Sequence, residues 1–149
     1  DQGVQSVVHT HSRHAVAFAQ AGCELPCFGT THSDFFRGAI PVTRELTLLE
    51  VTDNYEWETG AVIIERFSDV NPLDIPAVLV RNHGPFAWGA NALHAVETAQ
   101  ALEIVAQIAI DTLSISPIMS PAPRHLREKH FLRKHGPEAY YGQGAPPTK

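Results

Sequence analysis

The pattern of hydrophobic and polar positions first predicts where the strands lie. Short apolar runs rich in β-branched residues, bounded by polar or turn-forming residues, are typical of buried strands. Such runs occupy residues 4–9, 60–67 and 77–82, and a shorter one occupies residues 86–88. We therefore predict three strands, with the last continuing through a turn into a fourth.

The same pattern predicts helices between and after these strands. Ser12 is a suitable N-cap for a helix with apolar residues at helical spacing, which Gly22 would end. Asn91 can cap a long helix to about Ser114, because apolar residues form one stripe along it. Residues 124–135 predict a last, basic helix. Since strands and helices alternate, the fold class is α/β, and alternation by itself favours parallel strands.

Length and composition restrict the class of protein. A chain of 149 residues that is 44% hydrophobic fits one domain with a buried core. The net charge is −5 and no long basic run is present, so we expect no nucleic-acid partner. No apolar stretch is long enough to span a bilayer and no secretory signal is visible. We expect a cytoplasmic protein with no membrane partner, in which Cys23 and Cys27 stay reduced.

Three of the nine histidines stand where they could share one metal ion. His9 and His11 lie two residues apart at the end of a predicted strand, which points both side chains to the same face. His83 follows another predicted strand and enters a turn. Three histidines at strand ends fit a catalytic zinc site with one open position. By spacing alone, three ordinary histidines remain an equal alternative. For His14, on the predicted helix, we expect a surface position rather than the alternative of a supporting role beside the metal ligands.

Several motifs in the sequence also resemble those of a known protein family. They are VHTHSRHA at 8–15, GTTHSDFF at 29–36, YEWETG at 55–60, NHGPFAWG at 82–89, KHFLRKHG at 129–136 and AYYGQ at 139–143. The first two resemble class II aldolases and their epimerase relatives. All of them together resemble the L-ribulose-5-phosphate 4-epimerases of that family. The resemblance implies an α/β, class II aldolase-like fold with a central, largely antiparallel sheet flanked by helices, rather than a parallel sheet.

The resemblance also implies which residues form a site. His9, His11 and His83 match the ligands of one zinc or other divalent ion per subunit. Asp34 matches a catalytic acid/base. Tyr141 matches a second one, supplied by the adjacent subunit of a homotetramer whose active sites lie between subunits.

Two further residues match positions near the substrate, namely Thr30 and His130. Taken without the resemblance, each candidate has an ordinary role. Asp34 can cap a helix, Tyr141 can pack as an aromatic, Thr30 can serve a turn, and His130 can lie on a solvated face. Only the motif match therefore gives these four residues catalytic or substrate-binding roles.

The reaction that the resemblance implies interconverts L-ribulose 5-phosphate and D-xylulose 5-phosphate. The carbinol carbon is not acidic, so inversion requires reversible cleavage of the C3–C4 bond, with a metal ion as Lewis acid and proton transfer on both faces. One alternative is a class II aldolase acting on fuculose or rhamnulose phosphate. Another is a non-catalytic interaction module of the same fold. The three histidines together favour an enzyme over the module.

The residues that carry the resemblance match the family's domain only from a point part-way along it. We expect residues 1–143 to be the C-terminal two-thirds of a single class II aldolase-like domain, and 144–149 to be a flexible tail. A phosphate group needs amides, hydroxyls or cations around it, and no loop that cradles phosphate is visible. We therefore expect an upstream segment to supply that binding and to cover an apolar face of the sheet.

Overall fold

The computed structural model describes residues 3–141, which form a three-stranded sheet packed against helices. The elements in chain order are β1 (Ser6–His9), α1 (Arg13–Ala21), α2 (Thr30–Ser33), α3 (Leu48–Thr52), α4 (Tyr55–Arg66), β2 (Ala77–Val80), β3 (Gly84–Gly89), α5 (Ala92–Ile115) and α6 (Arg124–His135). The predicted α/β class is confirmed. The tail predicted at 144–149 lies outside the described residues.

The sheet is antiparallel, as the resemblance implied and contrary to what the alternation of elements favours. Its strand order is β1-β3-β2, and β3 pairs with both neighbours in antiparallel register. A turn of residues 81–83 joins β2 to β3, and antiparallel pairing needs only such a short connection. The run predicted at 77–82 is therefore a strand only to Val80, and residues 86–88 lie inside β3.

The strand predicted at 60–67 is wrong, because these residues belong to helix α4 and its end. Thr59 and Val62 are buried three positions apart, which is a helical spacing, whereas Ile64 is 76% exposed. Acidic side chains occupy the first turn of α4, where they favour a helix N-terminus. The tertiary packing of one helical face thus overrides the β-propensity of the Val-Ile-Ile run.

Helix α5 forms the centre of the core. Its cap is the predicted one, since the Asn91 side chain accepts a hydrogen bond of 2.9 Å from the amide of His94. The buried Leu102 and Ala106 of α5 share a cluster with Phe18 of α1 and Leu79 of β2. Because α1, β1 and β3 all contact α5, this helix lies next to the connection between β1 and α1.

Most remaining local predictions are confirmed. Gly22 ends α1 in the left-handed region, with φ of 66°, which glycine adopts at little cost. The last helix has its predicted bounds of Arg124–His135. Cys23 is exposed, Cys27 is buried, and both are free thiols. Among residues 3–141, no helix combines the length and apolar content that crossing a bilayer requires.

Candidate functional site

Three histidines converge at one end of the sheet. His9 is the last residue of β1, His11 follows it, and His83 ends the turn between β2 and β3. Each offers a ring nitrogen, and these nitrogens lie within 4.8 Å of one another. A tetrahedral zinc ion with bonds of about 2.0–2.1 Å holds its ligand atoms about 3.3 Å apart. The His9–His11 pair, at 3.1 Å, already has this spacing, and the whole cluster would need to contract from at most 4.8 Å to hold an ion.

His9 is held in an orientation that suits a metal ligand. Its Nδ1 lies 3.0 Å from the carbonyl oxygen of Pro85, which can only accept, so Nδ1 carries a proton and donates it. The ring also stacks on Phe86, with centroids 4.2 Å apart. In the neutral imidazole the lone pair is then on Nε2, and this atom faces Nε2 of His11 at 3.1 Å. Such a bond to the far ring nitrogen commonly fixes the tautomer of a metal-binding histidine.

Tyr55, the first residue of α4, orients His83. Its hydroxyl group lies 3.0 Å from Nδ1 of His83, and the two rings stack with centroids 5.9 Å apart. This contact leaves Nε2 of His83 as the nitrogen available to an ion. Burial, and then the nearby His9 and His11, lower the pKa of His83. A lowered pKa favours the neutral form, which is the form that binds metal.

The turn that carries His83 approaches the end of β1 very closely. Asn82 has a φ of 60°, in the left-handed region, and its amide donates to the carbonyl of Ala19 at 3.1 Å. A Cβ atom on Gly84 would stand only 2.9 Å from the carbonyl oxygen of Thr10. The turn can therefore reach β1 only because residue 84 has no side chain.

Asp34 lies in a second cluster, with basic side chains of α6. Its carboxylate accepts hydrogen bonds from Arg133 at 3.0 and 3.1 Å and from Nδ1 of His130 at 3.1 Å, and Nζ of Lys134 is 3.5 Å away. Burial acts to raise the pKa of Asp34, but the bonds from His130 and Arg133 and the charges of Lys134 and Arg133 together lower it. The carboxylate is therefore ionised near neutral pH and is a proton acceptor.

Tyr141 and Thr30 adjoin this second cluster. The guanidinium carbon of Arg133 lies 4.1 Å from the centre of the Tyr141 ring, so Arg133 contacts both Tyr141 and Asp34. Thr30 begins α2, and its carbonyl accepts from the amide of Asp34 at 2.9 Å. We call Asp34, His130, Arg133 and Tyr141 the acid–base cluster.

The histidine cluster and the acid–base cluster lie at opposite ends of β3. His83 immediately precedes Gly84, the first residue of β3. Asp34 instead lines a cavity of about 320 Å³ together with Gly89, the last residue of β3, and Ala90. A strand of this length spans roughly 16 Å. Within one chain, therefore, Asp34 does not face an ion held by the three histidines.

Known proteins resemble this chain over most of its length. The profile that describes the class II aldolase and adducin N-terminal domain matches residues 1–110. This chain belongs to that family. An L-ribulose-5-phosphate 4-epimerase, UlaF, of Salmonella paratyphi B is 53% identical over 137 residues, which are 92% of this chain and 60% of the relative. The chain thus spans about 60% of the length of the curated relatives it matches.

Solved structures agree with the family at the level of the fold. An L-fuculose 1-phosphate aldolase superposes with a TM-score of 0.68 at 19% identity, over 89% of this chain and 57% of the other. An aldolase II superfamily protein from Pseudomonas syringae gives a TM-score of 0.62 at 23% identity, over 91% of this chain and 52% of the other. The class II aldolase-like fold expected from the motifs is therefore confirmed.

Three residues in or next to these clusters were not predicted from the sequence. Tyr55 and Arg133 lie inside quoted motifs, so a motif signal existed, but nothing in their local spacing predicts their partners. Glu103 has no such signal. It lies 88 and 89 positions from the residues it binds at the start of α1.

Proposed function

We propose that this protein is a divalent-metal-dependent L-ribulose-5-phosphate 4-epimerase, which interconverts L-ribulose 5-phosphate and D-xylulose 5-phosphate. The observation that carries the proposal is the convergence of the ring nitrogens of His9, His11 and His83 within 4.8 Å. It is supported by 53% identity to a relative of that name. We also propose a cytoplasmic homotetramer, in which residues 1–143 form the C-terminal two-thirds of one domain.

The donor set fits a zinc ion or a similar divalent metal. Three imidazoles are a common ligand set for catalytic zinc, and they leave a position open for substrate. The proton on Nδ1 of His9 and the hydroxyl of Tyr55 at Nδ1 of His83 both leave the opposite ring nitrogen for an ion. Bound there, one ion per subunit would act as a Lewis acid that stabilises negative charge on the substrate during C3–C4 cleavage.

The acid–base cluster cannot serve the histidines of its own chain, because the two groups lie at opposite ends of β3. We therefore propose that each active site joins the histidines of one subunit to the acid–base cluster of a neighbour. Since Arg133 contacts both Asp34 and Tyr141, these two residues would reach the same site together. This refines the expectation from the motifs, in which only Tyr141 came from the adjacent subunit.

Two proton-transfer groups are needed, one on each face of the aldehyde that cleavage forms and that stays in the site. The ionised Asp34 is the proposed base that takes the proton of the C4 hydroxyl on one face. The Tyr141 hydroxyl is the proposed partner on the other face. His130 donates to Asp34 and would orient its carboxylate, and Thr30 lies on the same short helix, where its hydroxyl would contact substrate.

The full-length protein tests this proposal in a product assay with metal analysis. An epimerase converts L-ribulose 5-phosphate into D-xylulose 5-phosphate without releasing aldehyde, whereas a class II aldolase for fuculose or rhamnulose phosphate releases it. His83→Ala should abolish both the bound metal and the activity. His125→Ala, which changes an exposed histidine of α6, is the matched control and should do neither.

Hybrid oligomers test the shared site directly. His83→Ala and Asp34→Asn subunits should each be inactive alone, and co-expressed hybrids should regain part of the activity, because some sites then combine intact clusters. Hybrids that stay inactive would contradict the shared site. Wild-type protein without metal or turnover would instead favour a non-catalytic interaction module.

A further inference from the structure

His11 differs from His9 and His83 in the hydrogen bonds of its side chain. His9 donates to the Pro85 carbonyl, and His83 contacts the hydroxyl of Tyr55. Among residues 3–141, His11 makes one side-chain hydrogen bond, and it is to His9, which is itself in the proposed ligand set. The position of His11 must therefore come from its backbone.

The backbone around His11 is anchored on both sides. Before it, the amide of Thr10 donates to the Pro85 carbonyl at 3.3 Å, which continues the pairing of β1 with β3. After it, the chain enters α1 at Ser12, which occupies the N-cap position but makes no side-chain capping bond. The first turn of α1 therefore needs another acceptor for its free amides.

Glu103 of α5 supplies that acceptor. Its carboxylate accepts from the amide of His14 at 3.0 and 3.1 Å and from the amide of Ala15 at 3.0 Å. These are the second and third residues of α1, whose amides an N-cap side chain normally binds. The same carboxylate accepts from Nδ1 of His14 at 2.7 Å. His14, expected on a free helix surface, is thus tied to α5.

The charge of Glu103 suits this contact. Burial acts to raise the pKa of Glu103, but the amides of His14 and Ala15 and the His14 side chain together lower it. An ionised carboxylate at a helix N-terminus also interacts favourably with the helix dipole. The contact thus joins α5 in the core to the segment that carries His11.

We infer that Glu103 is a positioning residue for the metal centre: by capping α1 from α5, it holds the backbone that places His11 beside His9 and His83. The inference rests on the metal site of the proposed function. Glu103 acts through the backbone and touches neither ion nor substrate. Outer groups that position ligands commonly change metal affinity by about 10–100-fold.

Zinc affinity of the full-length protein, measured by competition with a chromogenic chelator, tests the inference. Glu103→Ala should weaken zinc binding by about 10-fold or more, and Glu103→Gln, which keeps the volume and one acceptor oxygen, by less. Glu97→Gln removes the same charge from an exposed position of α5 and should bind zinc like the wild type. In the Co²⁺-loaded protein, the visible absorption bands should shift in Glu103→Ala and stay unchanged in Glu97→Gln.

A purely structural cap gives a different result. It would lower the Tm equally with and without zinc and leave the zinc affinity at the wild-type value, and that outcome overturns the inference. If Glu103→Ala does not fold, Glu103→Gln carries the test, with equal affinity again the contradicting result. Failure of the wild type to bind zinc, Co²⁺ or another divalent ion would overturn the proposed metal centre itself, and the two failures are therefore distinguishable.

Discussion

The Nε2 atoms of His9 and His11 lie 3.1 Å apart, close to the separation of about 3.3 Å that a tetrahedral zinc ion imposes on its ligands. The hydrogen bond between these rings occupies the place where an ion would bind. Because Pro85 and Phe86 already fix His9, ion binding needs little movement of β1. The contacts that orient the three histidines are therefore defined one by one, and each can be tested.

Tyr55→Phe should weaken zinc binding by about 10-fold, because it removes the hydroxyl that orients Nδ1 of His83. The ring and its stacking remain, so the free energy of unfolding in chelator should change by less than about 1 kcal/mol. Tyr140→Phe, at a tyrosine that is 63% exposed, is the matched control. Zinc competition assays on both variants decide the point, and equal affinities would remove Tyr55 from the site.

Gly84→Ala should destabilise the protein by about 1–3 kcal/mol and weaken zinc binding, because its Cβ would collide with the Thr10 carbonyl and push the His83 turn away from β1. Gly60→Ala is the contrasting substitution. Its Cβ meets nothing within 4 Å inside α4, so it should stabilise the protein by about 0.5–1 kcal/mol. Denaturant unfolding of both variants measures the difference, and similar changes in both would contradict the close approach at Gly84.

Asp34→Asn and Tyr141→Phe should each slow epimerisation by about 100-fold or more, since positioned acid/base groups contribute that much. Both variants should keep their metal, because neither residue belongs to the proposed ligand set of His9, His11 and His83. Asp69→Asn, at a carboxylate that is 82% exposed, controls for the loss of charge. Steady-state kinetics with metal analysis is the measurement, and wild-type rates would exclude the two residues from the mechanism.

The pH dependence of stability should report the acid–base cluster. The folded-state pKa of Asp34 is lowered, so its contribution to stability is present in full above the unfolded-state value of about 4 and is lost as the pH falls through the folded-state value. The hydrogen bond from His130 and the positive charges of Arg133 and Lys134 face this carboxylate. Wild type should therefore exceed Asp34→Asn by about 1–2 kcal/mol at pH 7 and lose this advantage in acid. A difference independent of pH would contradict the ion pairing.

Local signals in the sequence were sufficient where neighbouring residues decide the structure. Asn91 caps α5 and Gly22 ends α1, because capping depends on bonds within a single turn. The spacing of His9 and His11 predicted a shared face, because the alternation of side chains along a strand is also a local property. The residues of α4 were mistaken for a strand, since their β-branched run has no local feature that excludes one.

The sequence by itself determined the α/β class, the ends of α1, α5 and α6, the family and the three candidate ligands. Only the tertiary structure decided how those ligands are supported and where the acid–base cluster lies. Tyr55 reaches His83 across 28 positions, and Arg133 reaches Asp34 across 99. No local pattern encodes such contacts, because they depend on how α4 and α6 pack against the rest of the chain. The physical reason is that spacing along the chain fixes the relative positions of near neighbours only, whereas packing brings distant side chains together.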